Sequence, residues 1–158
     1  MGGKLVGKSL ILALAFLVAT PLQVRSQTEE GSWISRLKLE DWSILTLEPS
    51  IPVIVLTKFA PPENGHPKIW VRTEYGIKQP GMLTGENYMS MLDLEEIDCD
   101  LKKYRILVIN LYKESNLQDS LYPGATFAPK WAYALPGTQG ELTIHRACVR
   151  AGSRKPKH

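Results

Sequence analysis

The sequence predicts an α+β domain: a β-sheet of about five to six strands, with a C-terminal α-helix packed on it and tied to it by a disulfide. Three observations predict this. Short runs rich in β-branched and aromatic residues recur between proline- and glycine-rich breaks from Trp42 to Tyr112. A helix-start signature, Thr138-Gln139-Gly140-Glu141, precedes an apolar stripe of helical period. Cys99 and Cys148 stand one in each part of that layout.

The 158 residues provide for one domain, and a hydrophobic share of 44% is that of a globular chain. The first stretch differs from the rest. Lys4 and Lys8 precede the apolar run Leu10 to Val18, and Thr20-Pro21 leads into a polar segment ending at Ser26. That is the layout of a secretory signal peptide over 1–26, and the run is shorter than the roughly 20 residues a membrane-spanning helix needs. Val24 and Ser26 fit cleavage before Gln27, with a cut after Ala19 as the alternative. No cysteine precedes Cys99, so the leader has no site for the lipid that tethers bacterial lipoproteins. A periplasmic or secreted protein with no stable membrane anchor after leader removal is expected.

The formal charge of +3 resides in the leader, which carries Lys4, Lys8 and Arg25 and no acid. Without it, 16 acidic side chains face an equal number of basic ones, so overall attraction to nucleic acid is not expected. The basic residues Arg154, Lys155 and Lys157 make 153–158 a flexible, solubilising tail.

The domain spans 27–152. Trp42 to Leu47 and Val53 to Phe59 read as two short strands, separated by Pro49 and Pro52. Ala60 to Pro67 holds three prolines and Asn64-Gly65, which is loop chemistry. Lys68 to Tyr75 alternates strictly and predicts a half-buried strand. Gly76 to Asn87, with three glycines and a proline, is a second loop. Tyr88 to Cys99 predicts a long strand whose alternation slips near Leu94 and Glu95, as a bulge would make it. Tyr104 to Tyr112 is apolar on both faces and belongs in mid-sheet. Lys113 to Lys130 is mixed and turn-rich, with no element assigned, and Trp131 to Leu135 is a last short strand. In the helix, Ile144, Ala147, Cys148 and Ala151 share one face, which presents Cys148 to the core.

In an exported chain only one disulfide is available, Cys99 to Cys148, and closing such a loop is worth about 4 kcal/mol. A catalytic thiol is the competing reading, but there is no Cys-x-x-Cys and no adjacent histidine.

Tyr88-Met89-Ser90, Glu95-Glu96-Ile97-Asp98-Cys99, Tyr104-Arg105-Ile106, Trp131, Pro136-Gly137-Thr138 and Ala147-Cys148 resemble the bacterial surface-adhesin protein E family. Lys68-Ile69-Trp70-Val71 and Tyr75 fit its earlier part, so the resemblance runs from about Trp33 to Gly152. It implies that the sheet is antiparallel and that the disulfide holds the helix to it. It also implies a protein-binding role toward envelope or host matrix proteins, and a capacity to form a homodimer.

No serine-hydrolase elbow, P-loop or dinucleotide-binding glycine pattern occurs, and none of the three histidines has metal-ligand spacing. His145 follows Glu141 by one helical turn, which is a surface pair before it is a general base. Glu96, Asp98 and Asp100 alternate and offer three carboxylates to a hard cation, but Lys102, Lys103 and Arg105 beside them favour a solvated, charge-paired face. No catalytic residue, no metal ligand and no cofactor is therefore expected. Of four tryptophans, a small core should bury most, which leaves Trp33 free for a partner. With Asn64, His66 and Asn87 in the two loops, it makes up the candidate binding residues. The expected function is a non-catalytic, adhesin-like binding module; the alternative is a periplasmic small-molecule or metal-binding protein.

Overall fold

The computed structural model describes residues 33–48, 51–81, 85–125 and 129–152. The expected leader and tail lie outside them. Among the described residues, seven strands precede a C-terminal helix: β1 (Ser43–Glu48), β2 (Val53–Glu63), β3 (His66–Gln79), β4 (Tyr88–Asp98), β5 (Lys103–Glu114), β6 (Gln118–Ala125), β7 (Ala132–Tyr133) and α1 (Gln139–Gly152). The first six form an antiparallel meander in chain order, and β7 pairs with the start of β5 at Lys103 and Tyr104.

Three departures from the sequence reading have local causes. β2 runs on through Pro61 and Pro62, because β1 pairs with β2 only as far as Thr57 and prolines are tolerated at an unpaired edge. The register between β2 and β3 shifts between Ala60 and Glu63, where the two missing N–H groups fall. The turn joining these strands is thereby reduced to Asn64 (φ 53°) and Gly65 (φ 80°), the left-handed pair of a tight hairpin. Finally, 118–125 is a strand despite its turn-rich composition, since its backbone completes the edge left by β5.

β3 also runs on to Gln79, so Gly76 to Gln79 of the expected second loop is strand; other expectations hold. A bulge does lie at Leu94 and Glu95, but on the partner strand: Leu94 pairs with Val108 and Glu95 with Ile106, which leaves Leu107 of β5 as the extra residue, while β4 stays in continuous register with β3. The Cys99–Cys148 disulfide is formed, with 5.5 Å between the Cα atoms. Helix α1 starts where the capping signature predicts, but only the glutamate acts as expected, by accepting from a free backbone amide; the threonine hydroxyl donates to a carbonyl instead of accepting from a helix amide. Glu141 Oε2 accepts from the Gly137 amide at 2.7 Å, and Thr138 Oγ1 donates to the Leu135 carbonyl at 2.6 Å.

The sheet buries both faces. On one, Ile144 and Ala147 of α1 pack against Val55, Ile69, Val71 and Ile97. On the other, Leu37 joins Ile54 and Leu56, with Trp33, Leu39 and Trp42 of the segment before β1 closing over them. That second face also holds a buried ion pair. Arg72 donates to Glu74 at 2.7 Å, to the Lys38 carbonyl at 2.8 Å and to Asn116 Oδ1 at 3.0 Å. The Asn116 amide N–H donates to both Glu74 oxygens. Burial pushes the Glu74 carboxyl up, and Arg72 and Asn116 pull it back. The network thus ties the 33–42 segment, β3 and the β5–β6 turn together by satisfied polar groups. Among the described residues, no helix is long and apolar enough to cross a membrane.

Candidate interaction surface

The antiparallel register brings two turns to the same end of the sheet. Lys68 pairs with Glu96, so the Asn64–Gly65 turn lies beside the turn from Cys99 to Lys102. Asp98 shapes the second turn: its Oδ1 accepts from the Asp100 amide at 3.0 Å and the Leu101 amide at 2.9 Å. Between the turns and the end of α1 runs a groove of about 470 Å³, lined by Asn64, His66, Asp98, Asp100 and the disulfide.

The face opposite α1 carries the chemistry at this end. Glu96 is paired with Arg105 and Lys103 with Tyr133, and directly opposed residues project to one side. Arg105 is held by Glu96 at 2.6 Å, and its guanidinium lies 4.6 Å from the centre of the Trp131 ring. His66 packs on the same indole with ring centres 5.5 Å apart. Lys103 lies 4.6 Å from the centre of the Tyr133 ring. Each of these cation–aromatic contacts is worth about 0.5–1 kcal/mol at an exposed position. Together they hold two large rings in place while leaving them accessible: Trp131 is 36% exposed and Tyr133 68%. Leu135 beyond them is exposed as well. Among the described residues β7 pairs with β5 alone, so there this aromatic strand is also an open edge.

The four expected binding residues divide. Asn64 and His66 belong to this end. Asn87 is exposed just before β4, whose first residue pairs with Gln79 at the opposite end of the sheet. Trp33 is half-buried against the 33–42 side of the core, where it touches Gly76. The exposed indole is instead that of Trp131, which sequence reasoning had placed among the buried ones. Its signal was composition: Trp131 and Tyr133 alternate in a segment too short to have two covered faces.

The carboxylates Glu96, Asp98 and Asp100 do not converge. Glu96 is buried and engaged by Arg105, and Asp98 is engaged by its turn. Among the described residues there is no group of three metal-ligating side chains of the His, Cys, Asp and Glu types. Glu141 is occupied at the start of α1, and His145 is exposed.

No curated protein and no solved structure matches the chain. A family model does: that described as surface-adhesin protein E matches residues 57–149. The match runs from within β2 to within α1 and takes in both cysteines, the paired turns and the aromatic edge strand, so the chain belongs to the surface-adhesin protein E family.

Proposed function

We propose that the chain is a non-catalytic protein-binding module, exported to the bacterial envelope or beyond, that engages a partner protein through the end of the sheet bearing β7. The observation that carries this reading is the pair of exposed rings, Trp131 and Tyr133, each held over a cation on an unpaired strand edge. Tryptophan, tyrosine and arginine dominate the energetics of protein interfaces, and rings that are already fixed lose little entropy on binding. An open edge adds backbone donors and acceptors for an extended segment of the partner. Membership of an adhesin family supports the same reading.

The test is surface plasmon resonance of the mature chain against immobilised envelope and host matrix proteins. Trp131→Ala and Tyr133→Ala are each expected to weaken any saturable binding at least about tenfold, with the melting temperature unchanged. Equal affinity for the doubly substituted protein would remove the proposal.

A further inference from the structure

The side of the sheet covered by α1 carries a groove away from the β7 surface. It runs between the helix and strands β1 and β2 as two hollows, of about 280 and 460 Å³, that share Phe59 and Arg150. Volumes of this order are those of small-molecule sites. The helix faces the smaller hollow with Ala147 and Ala151, whose short side chains leave the Phe59 ring partly uncovered. The larger hollow has Leu45 and Phe59 for its floor and is flanked by Leu142 and Val149, both exposed.

Charge in this groove has one sign. No aspartate or glutamate lines either hollow. Lys68 in the smaller one is paired with Glu63, whereas Arg146 and Arg150 in the larger one have no acidic partner among the described residues. Both guanidiniums are nevertheless positioned. Arg146 donates to the Ile44 carbonyl at 2.7 Å, and Arg150 lies 4.0 Å from the centre of the Phe59 ring. Each contact leaves further N–H donors uncommitted. Like charges one helical turn apart destabilise a helix, and an anion facing both relieves that repulsion. The helix dipole accounts for Arg150 in the last turn but not for Arg146.

An apolar floor beside two positioned, unneutralised guanidiniums is complementary to a ligand with an alkyl chain and an anionic head. Neither end of the chain supplies that charge: 1–26 carries Lys4, Lys8 and Arg25 and no acid, and 153–158 is basic. A bilayer fits poorly, because the floor is recessed between helix and strands instead of protruding. We propose that this groove binds a linear long-chain carboxylate, its alkyl chain against Leu45 and Phe59 and its carboxylate facing Arg146 and Arg150.

The experiment is isothermal titration calorimetry of the mature chain with decanoate below its micellar concentration. Saturable one-to-one binding is expected. It should be at least about tenfold tighter than that of decanol, which keeps the alkyl chain without the charge, or of butyrate, which keeps the charge without the length. Arg146→Gln and Arg150→Gln are each expected to weaken decanoate binding about tenfold, with the melting temperature and the affinity for decanol unchanged. No saturable decanoate binding, decanol bound as tightly as decanoate, or unchanged affinity in the doubly substituted protein would overturn the proposal. So would binding confined to phosphatidylglycerol vesicles, polyglutamate bound as tightly as decanoate, or a dimer of the free chain in sedimentation that either arginine variant dissociates.

Discussion

Asp93 and Glu95 make the stability of the protein depend on pH in a defined direction, because burial pushes their carboxyls up, to about 7 and about 8. Their folded values stand above the ordinary 3.8 and 4.5, so between about pH 4 and 8 the folded state holds protons that the unfolded chain has released. Their contribution is therefore complete below about pH 4 and is lost as the pH rises through about 7 and 8. Urea unfolding should show stability falling over that interval by on the order of a few kcal/mol, and Asp93→Asn with Glu95→Gln should flatten the profile. A profile equally steep in the double variant would contradict this assignment. The pair was partly legible in the sequence, since Asp93 and Glu95 fall on the same alternation phase as the inward Ile97. What the sequence does not carry is the identity of the facing residues. Only the register sets Ile109 and Ile106 opposite the two acids, where a lysine would have made an ordinary cross-strand pair.

At the level of elements, two attachments hold the covering segments to the sheet. A side chain at Gly76 would place its Cβ 2.7 Å from Pro52 Cβ and 2.9 Å from Trp33 Cε2, so Gly76→Ala must displace one of them. The expected cost is about 1–3 kcal/mol, accompanied by a change in tryptophan fluorescence as Trp33 shifts. The second attachment is the disulfide, which closes a loop spanning 49 residues of sequence separation. Replacing both cysteines by serine should cost about 4 kcal/mol in chemical denaturation and loosen α1 before the strands, as hydrogen exchange along the helix would reveal. Helix α1 and β4 were legible because each is a long run of one character, and the bulge falls where the sequence places it, at Leu94 and Glu95, although its extra residue, Leu107, belongs to β5 and β4 keeps one phase through Asp93, Glu95 and Ile97. β6 was not. Pro123-Gly124 satisfies every local criterion for a turn, and only pairing with β5 makes that stretch extended. The same applies to Pro61 and Pro62, which break a strand in isolation and are accommodated where β1 stops short.

In the whole molecule, every strand from β1 to β6 pairs with its neighbour in sequence, so the sheet needs few distant encounters to form. The distant contacts come from the two ends of the described chain, which cover opposite faces: the 33–42 segment one, α1 the other. Sequence reasoning anticipated the sheet and the helix but assigned no element to residues 34–41, because Leu37 and Leu39 reveal no period and acquire a role only against Ile54 and Leu56. This arrangement governs how the molecule would bear tension. Pulled between its two ends, the protein must peel the 33–42 segment from one side of the sheet, whereas the stretch from Cys99 to Cys148, with most of α1, cannot lengthen while its bridge is intact. That bridge hides about 170 Å of contour, taking 49 residues at roughly 3.5 Å each. Optical-tweezer traces should therefore gain about that extension after thiol reduction. Under load, the oxidised molecule behaves as a short tether with a built-in stop, in which the helix, the aromatic strand and β5 remain beyond the reach of the applied force.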